Sequence, residues 1–345
     1  MARSGKKAKG TKGGGSASSR QVYLSRLSKI FSVRQDLAER MVSNPLKSSI
    51  RINALSPLGA DEILAKLNAF GAELAPIPWC PGAYHLLSDK RLLAESELFQ
   101  DGHVYIQNAS SLIPGLAMRP KAGERILDVC AAPGGKTVHI QALAGGKATI
   151  IANDAMKPRL KKLEEVLTTF HVPNAEITNF EGQFIDRHLD EMGGEFFDRI
   201  LLDAQCSGEG MLDLSRSDAL RFWSVERVIK MGYLQQKMLT AAWKVLKPGG
   251  VLVYSTCTFG PEENEGPVSR HLKHHADASI EPIDSEEPLD IPGRAPGLKS
   301  WGGQPYHADL VHGVRVLPSE FLEGFFVCRL RKAASDDIVN AAVDV

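Results

Sequence analysis

One stretch restricts this chain more than any other. DVCAAPGGKT (128–137) places a glycine turn between an apolar run, ERILDVC (124–130), and a segment of helical character. A strand that passes through small residues into a helix lets the backbone come close to a ligand. Beyond it, KATIIAND (147–154), AEITNF (175–180), FDRILLDA (197–204) and VLVYSTC (251–257) read as strands. KPRLKKLEEVLTTFHV and RVIKMGYLQQKMLTAAWKVL between them read as helices, the second stopped by KPGG. This alternation predicts an α/β fold, a Rossmann-like doubly wound parallel sheet.

Three cofactor classes use such a turn, and the residues separate them. The dinucleotide fingerprint G-x-G-x-x-G is absent. The triphosphate loop fits Gly135-Lys136-Thr137 but needs glycine at position 130, which is Cys130. What remains is the adenosyl-methionine turn, which passes under the amino-acid end of that cofactor. Asp154 then ends the second strand, where a carboxylate accepts from both ribose hydroxyls, and Glu181 follows the third, in reach of an adenine edge. Either acid alone is an ordinary solvated strand end. In strand order behind the glycine turn, the two read as a cofactor site.

Five cysteines (Cys80, Cys130, Cys206, Cys257 and Cys328) form no C-x-x-C pair, which argues against a disulfide framework or zinc ribbon and for reduced thiols in a cytoplasmic setting. His307 and His312 lack companions at ligand spacing, so no metal is expected. No run of eighteen apolar residues exists, so no membrane span is expected. Cys206 follows the fourth strand in DAQCSG (203–208), and Cys257 ends the fifth in STCT (255–258). With these strands as neighbours, both thiols emerge at the cofactor edge beside Asp203. That set suits methylation of carbon 5 of cytosine. A thiolate adding at carbon 6 turns carbon 5 into an enamine carbon able to take a methyl group. A carboxylic acid near ring nitrogen 3 steadies the adduct, and loss of the carbon 5 proton lets the sulfur leave. Lys136 is the cation at hand to lower the thiol pKa.

The first twenty residues carry Arg3, Lys6, Lys7, Lys9, Lys12 and Arg20 without an acid and read as a disordered basic tail. Residues 25–51 add a surplus of four positive charges, although the whole chain is neutral. Helical spacing over 21–42, a strand at SSIRINAL (48–55), a helix at DEILAKLNAFG (61–71) ended by Gly71 and an extended, proline-broken stretch make a small α+β module. The predicted division is a tail over 1–20, an RNA-binding module over 21–98, a methyltransferase domain over 99–333 and a tail over 334–345. Trp79 and Tyr84 read as core residues, with base stacking as the alternative. The Pro/Gly-rich run from Glu281 to Pro318 reads as a surface loop beside the substrate cleft.

SIRINAL, PIPWCPGAY, YIQNASSLIP, DVCAAPGGKT, DAQCSGEGM, STCTFGPEENE and EGFFVCRLRK together resemble the RNA cytosine-C5 methyltransferases of the Nop/Sun type, bacterial ribosomal-RNA members above all. The resemblance covers about Ser48 to Lys332. It implies an RNA-recognition-like N-terminal fold and Cys257 as nucleophile. It also implies Cys206 as the thiol that assists release, Asp203 at the cytosine edge and Lys136 beside the centre. S-adenosyl-L-methionine would lie on Cys130, Ala131, Ala132, Pro133, Gly134, Gly135, Lys136, Asp154, Arg159, Glu181 and Asp203. The partner would be ribosomal RNA in preference to transfer RNA, and the enzyme a cytoplasmic monomer. Two positions depart from the family pattern: Gln205 replaces proline, which would stiffen the loop, and Glu181 replaces aspartate. The first leaves a weakly catalytic RNA-binding assembly factor as the alternative. A DNA methyltransferase shares the ring chemistry but carries its nucleophile in a proline–cysteine loop after the fourth strand.

Overall fold

The computed structural model describes residues 18–286 and 288–334, so the expected tails lie almost wholly outside the described residues. Ser18 caps α1 (Ser19–Phe31), its side chain accepting from the Gln21 N–H. Ser32 then turns left-handed at φ 55°, and α2 (Gln35–Met41) follows, so the helical stretch expected over 21–42 is two helices. Next come β1 (Ser49–Ile52), α3 (Ala60–Phe70), β2 (Leu74–Pro76), β3 (Ala83–Leu86), α4 (Lys90–Ala94), α5 (Glu97–Gln100) and β4 (Val104–Gln107). The four strands form an antiparallel sheet in the order β2-β3-β1-β4, covered by Ile63 and Leu67 of α3 against Ile50, Ile52 and Val104. Trp79 is buried in the core, as its apolar bulk requires.

The larger unit starts at α6 (Ile113–Met118). It continues with β5 (Arg125–Asp128), α7 (Gly135–Leu143), β6 (Thr149–Asn153), α8 (Lys157–Thr169), β7 (Ala175–Thr178), β8 (Phe197–Asp203), α9 (Val225–Lys244), β9 (Leu246–Thr256) and α10 (Glu265–His274). β10 (Ala278–Ile280), β11 (Arg294–Pro296), a two-stranded ribbon of β12 (Ser300–Trp301) and β13 (Gln304–Pro305), β14 (Val314–Val316) and β15 (Phe325–Lys332) complete it. Strands β7-β6-β5-β8-β9 are parallel, and β15, β14 and β11 extend the sheet antiparallel beyond β9. The parallel strands are covered on both faces, which is why they read as apolar runs rather than alternating ones. Among the described residues no helix is long and apolar enough to cross a membrane.

Four expectations need correction. The sheet of the small module takes in β4, so it runs past residue 98. Helices α1 and α2 do not belong to it: Tyr23, Leu24, Leu27, Ile30 and Phe31 pack with Leu214, Trp223, Val228 and Phe259 of the larger unit. The run from Glu281 to Pro318 is no mere loop, because its β14 pairs with β15 and buries Val314 and Val316. KPGG also lies inside β9, with Gly249 at φ 75° and a register shift opposite Phe197 and Arg199, rather than between helix and strand.

Leu27 is fully buried in the seam between α1 and the larger unit. Leu27→Ala is expected to destabilise the folded chain by about 2–5 kcal/mol, the cost of a cavity in a packed core. Urea unfolding followed at Trp223 and Trp243 checks this, and an unmoved midpoint would mean that α1 is only loosely attached.

Candidate active site

The glycine turn is built by its two glycines. Gly134 sits at φ 116°, a conformation that side chains resist, and a Cβ on Gly135 would come 2.8 Å from Tyr105 Oη. Asn153, fully buried at the end of β6, holds the turn to its neighbours. Its Nδ2 donates to the carbonyls of Val129 and Phe180, each at 2.9 Å, and its backbone carbonyl accepts from Ala131 N–H at 2.8 Å. Asp154 Oδ2 accepts from Ala132 N–H at 3.2 Å and faces Arg159 Nη1 at 3.1 Å, while Oδ1 accepts from Met156 N–H at 2.9 Å. Asp154 therefore anchors the turn as well as facing the cleft. Asp128 accepts from Thr137 Oγ1 at 2.7 Å and leaves Oδ1 without a partner; burial pushes its carboxyl up to about 7.

A cleft of about 250 Å³ opens where these loops meet the ends of β8 and β9. Cys130, Ala132, Asp154, Arg159, Asp203, Cys206 and Cys257 all line it, with Leu234 and Met238 of α9 as an apolar wall. Burial pushes the Cys130 thiol up, which makes it a neutral wall residue. Ala131, Gly134 and Gly135 are buried in the turn, Lys136 is partly buried at the start of α7, and Pro133 is exposed. Glu181 does not join the lining. It is exposed, accepts from Gln183 Nε2, and leaves Gly182 and Gln183 to form that wall.

At the cleft floor, Cys206 Sγ lies 3.3 Å from Cys257 Sγ. The hydrogen bond to Cys257, followed by burial, holds the Cys206 thiol well above its ordinary range, so Cys206 keeps its proton. Lys136 Nζ lies 2.8 Å from Asp203 Oδ2, and Asp203 Oδ1 accepts from Ser255 Oγ at 2.7 Å. Burial works against the charge of Lys136, but Asp203 outweighs it, and the lysine pKa is raised. A permanent cation therefore stands near the Cys257 sulfur.

The Cys206 loop hangs from one buried acid. Glu263 Oε2 accepts from Ser207 N–H at 2.8 Å and from Gln235 Nε2 at 2.9 Å, and Glu263 Oε1 accepts from Ser207 Oγ. Gln235 Nε2 also donates to the Gln205 carbonyl at 2.9 Å, and Gly210 N–H donates to the Cys257 carbonyl at 3.0 Å. The loop that lacks the family proline is thus fixed through its carbonyl and through Ser207.

A family model described as 16S rRNA methyltransferase RsmB/F matches residues 115–331. The chain belongs to that family. "Ribosomal RNA small subunit methyltransferase F" of Vibrio atlanticus is 34% identical over 320 residues, covering 91% of this chain and 64% of that protein. Its namesake in Cronobacter sakazakii is 37% identical over 297 residues, covering 84% and 58%. The chain thus spans about three-fifths of the length of the curated relatives it matches. A crystal structure of a methyltransferase homolog protein from Pyrococcus horikoshii superposes with a TM-score of 0.76 at 30% identity, covering 90% of this chain and 95% of that one.

In this RsmB/F-family chain, sequence reasoning passed over Asn153, Gln235 and Glu263. Gln235 had a signal: it sits on the buried stripe Val228, Gly232, Gln235, Leu239, Ala242 of α9, where an apolar residue belongs. Nothing in PEENE distinguishes Glu263, which is fully buried, from its neighbouring acids.

Asp128 yields a test. Its folded carboxyl titrates near 7, above the ordinary carboxyl range, so the stability it contributes is complete below that range and is lost as pH rises through 7. Asp128→Asn is expected to lose less stability than the wild type between pH 5 and pH 8, by at least about 1 kcal/mol. Denaturant midpoints of both proteins at the two pH values measure it; parallel losses would show that Asp128 is already ionised at pH 5.

Proposed function

We propose that this protein transfers a methyl group from S-adenosyl-methionine to carbon 5 of a cytosine in small-subunit ribosomal RNA. The observation that carries the proposal is the pair of sulfurs 3.3 Å apart beside the Lys136–Asp203 ion pair, at the carboxyl ends of β8 and β9. The names of the relatives support the RNA class.

The residues present fit the cofactor. A buried carboxylate at Asp154 faces the cleft, a helix N-terminus with free first-turn N–H groups follows the glycine turn, and a Cβ at Gly182 would come 2.6 Å from Met238 Cε. Asp154, Arg159 and the turn 130–135 would hold it. When bound, S-adenosyl-methionine supplies an electrophilic methyl group.

The sulfur of Cys257, as the thiolate, adds to carbon 6 of the cytosine. Asp203, fixed by Lys136 and Ser255, holds the ring edge so that nitrogen 3 takes up a proton relayed from the Lys136 ammonium through the carboxyl as the sulfur adds, and returns it when the sulfur leaves. After methylation a water molecule in the cleft takes the carbon 5 proton, the freed electron pair re-forms the carbon 5–carbon 6 double bond, and Cys257 leaves as the thiolate. The neutral Cys206 thiol, held against Cys257, assists this elimination by donating a hydrogen bond to the departing sulfur. The cytosine must leave its stack to reach sulfurs recessed in the cleft, so an unpaired or easily flipped base is the expected target.

Cys257→Ala is expected to abolish transfer of labelled methyl groups to 16S ribosomal RNA while cofactor affinity stays unchanged. Cys206→Ala is expected to accumulate a covalent protein–RNA species, seen as a slow band on a denaturing gel. Residual turnover in the first variant, or no band with the second, would move the nucleophile away from Cys257. An RNA that stays unlabelled while still bound by the wild-type chain would favour an assembly factor.

A further inference from the structure

The catalytic cleft uses one side of α9. Where α9 packs on α10, a second cavity of about 310 Å³ opens, and no step above involves it. Tyr233 lines this cavity and Leu234 the catalytic cleft, so α9 is their common wall; consecutive helical residues point about 100° apart. Gly232 makes the wall thin, since a Cβ there would come 2.2 Å from the Glu262 carbonyl oxygen.

The cavity is aromatic, and two of its three rings are fixed in place. Trp301 Nε1 donates to Glu262 Oε1 at 2.9 Å, and the Arg26 guanidinium lies 5.3 Å from the indole centroid. Tyr306 Oη donates to the Pro261 carbonyl at 3.3 Å. The third ring, Tyr233, is 59% exposed, with the Arg270 guanidinium 5.7 Å from its centroid. Lys273 Nζ donates to the Pro305 carbonyl at 3.3 Å at the rim. Glu262 is the acid among the described lining residues, and Arg26 matches its charge at 2.7 Å. Arg270 and Lys273 are left as a positive surplus.

We propose that this cavity is a second nucleotide subsite, which takes an unpaired base of the substrate RNA against Tyr233 and Trp301 with its phosphate at Arg270 and Lys273. Aromatic walls accept the face of any base, and cations at the rim hold the backbone without reading sequence. Seated there, the nucleotide lies on the turn whose next residue, Glu263, holds the Cys206 loop. The RNA thus grips the chain one residue from the frame of the reaction. The inference rests on the RNA reading above, and its test separates the two.

The full chain is irradiated with a single-stranded oligoribonucleotide carrying 5-iodouridine, and the joined peptides are mapped by mass spectrometry. Affinity for the same oligonucleotide is measured by fluorescence anisotropy for the wild type, Tyr233→Ala and Arg270→Ala. S-adenosyl-homocysteine binding serves as the check that each variant is folded. Cross-links at Tyr233 or Trp301 are expected, with affinity lowered at least about fivefold in each variant and binding of the cofactor product unchanged. Unaltered affinity in both variants, or cross-links confined to other surfaces, overturns the subsite. A wild-type chain that cross-links at Tyr233 yet labels no RNA sinks the methyltransferase reading and leaves the subsite standing. Normal labelling without cross-links in this cavity does the reverse.

Discussion

Asp203 stands opposite Ser255 in the parallel pairing of β8 with β9 and accepts its hydroxyl proton at 2.7 Å. The geometry of the sulfur pair follows from that register. Counting three residues on from Asp203 reaches Cys206, and two on from Ser255 reaches Cys257, so both sulfurs emerge over adjacent strand ends. A slip of one residue would turn one strand's side chains to the opposite face of the sheet and part the sulfurs. Parallel neighbours need a crossover, and α9 is that connection. It returns Gln235 beneath the loop it started from, where the amide holds both Gln205 and Glu263. The chain segment that joins the two strands behind the cysteine loops is therefore also their brace.

Such a site has an electrostatic cost. Glu263 and Glu323, like Asp128, are pushed up to about 7, in each case first by burial. Lys136 works against the shift of Glu323, while Asp203 adds to it. One lysine thus serves a region richer in carboxyls than in cations, and near neutral pH some of these acids keep their protons. A buried acid that stays neutral still accepts hydrogen bonds, and it spares the fold the larger penalty of an isolated buried charge. Glu263 is useful on these terms: its partners Ser207 and Gln235 are neutral donors, which a fully charged partner would not need to be.

What the residues revealed in advance has a physical pattern. Strands β5, β6, β8 and β9 were legible because both faces of a parallel sheet are buried, which forces apolar runs. The turn over 128–137 was legible because only glycine tolerates the φ of Gly134 and the approach of Tyr105 to Gly135. The two cysteine loops were legible because a thiol in a polar loop has no packing reason to be there. Illegible were contacts between distant segments. The pairing of β4 with β1 depends on residues more than fifty positions apart, and nothing local in VYIQ says which sheet it joins. Glu181 follows the third strand as expected, and its exposed carboxylate accepts from Gln183 Nε2, a contact that no local pattern announces. Glu263 was invisible because burial is a property of the fold, and a solvated glutamate has the same letter.

The seam between the N-terminal segment and the larger unit shows why dividing the chain near residue 98 misplaces its mechanics. Tyr23 Oη donates to the Glu209 carbonyl at 3.1 Å, and the ring meets Trp223 edge-on at 5.0 Å. Trp223 Nε1 in turn donates to Glu209 Oε1 at 2.7 Å, while Glu209 Oε2 accepts from Thr258 Oγ1 at 3.0 Å. Glu209 thus ties the loop after Cys206 to the residue after Cys257, and α1 supplies the apolar cover that keeps water from these bonds. On the other flank, Tyr105 of the small sheet presses on Gly135 at the start of α7. The N-terminal residues enclose the cysteine loops from two directions. A bond shielded from water is stronger than the same bond in solvent, so the stiffness of the cysteine pair depends on helices that the sequence pattern assigned to another domain.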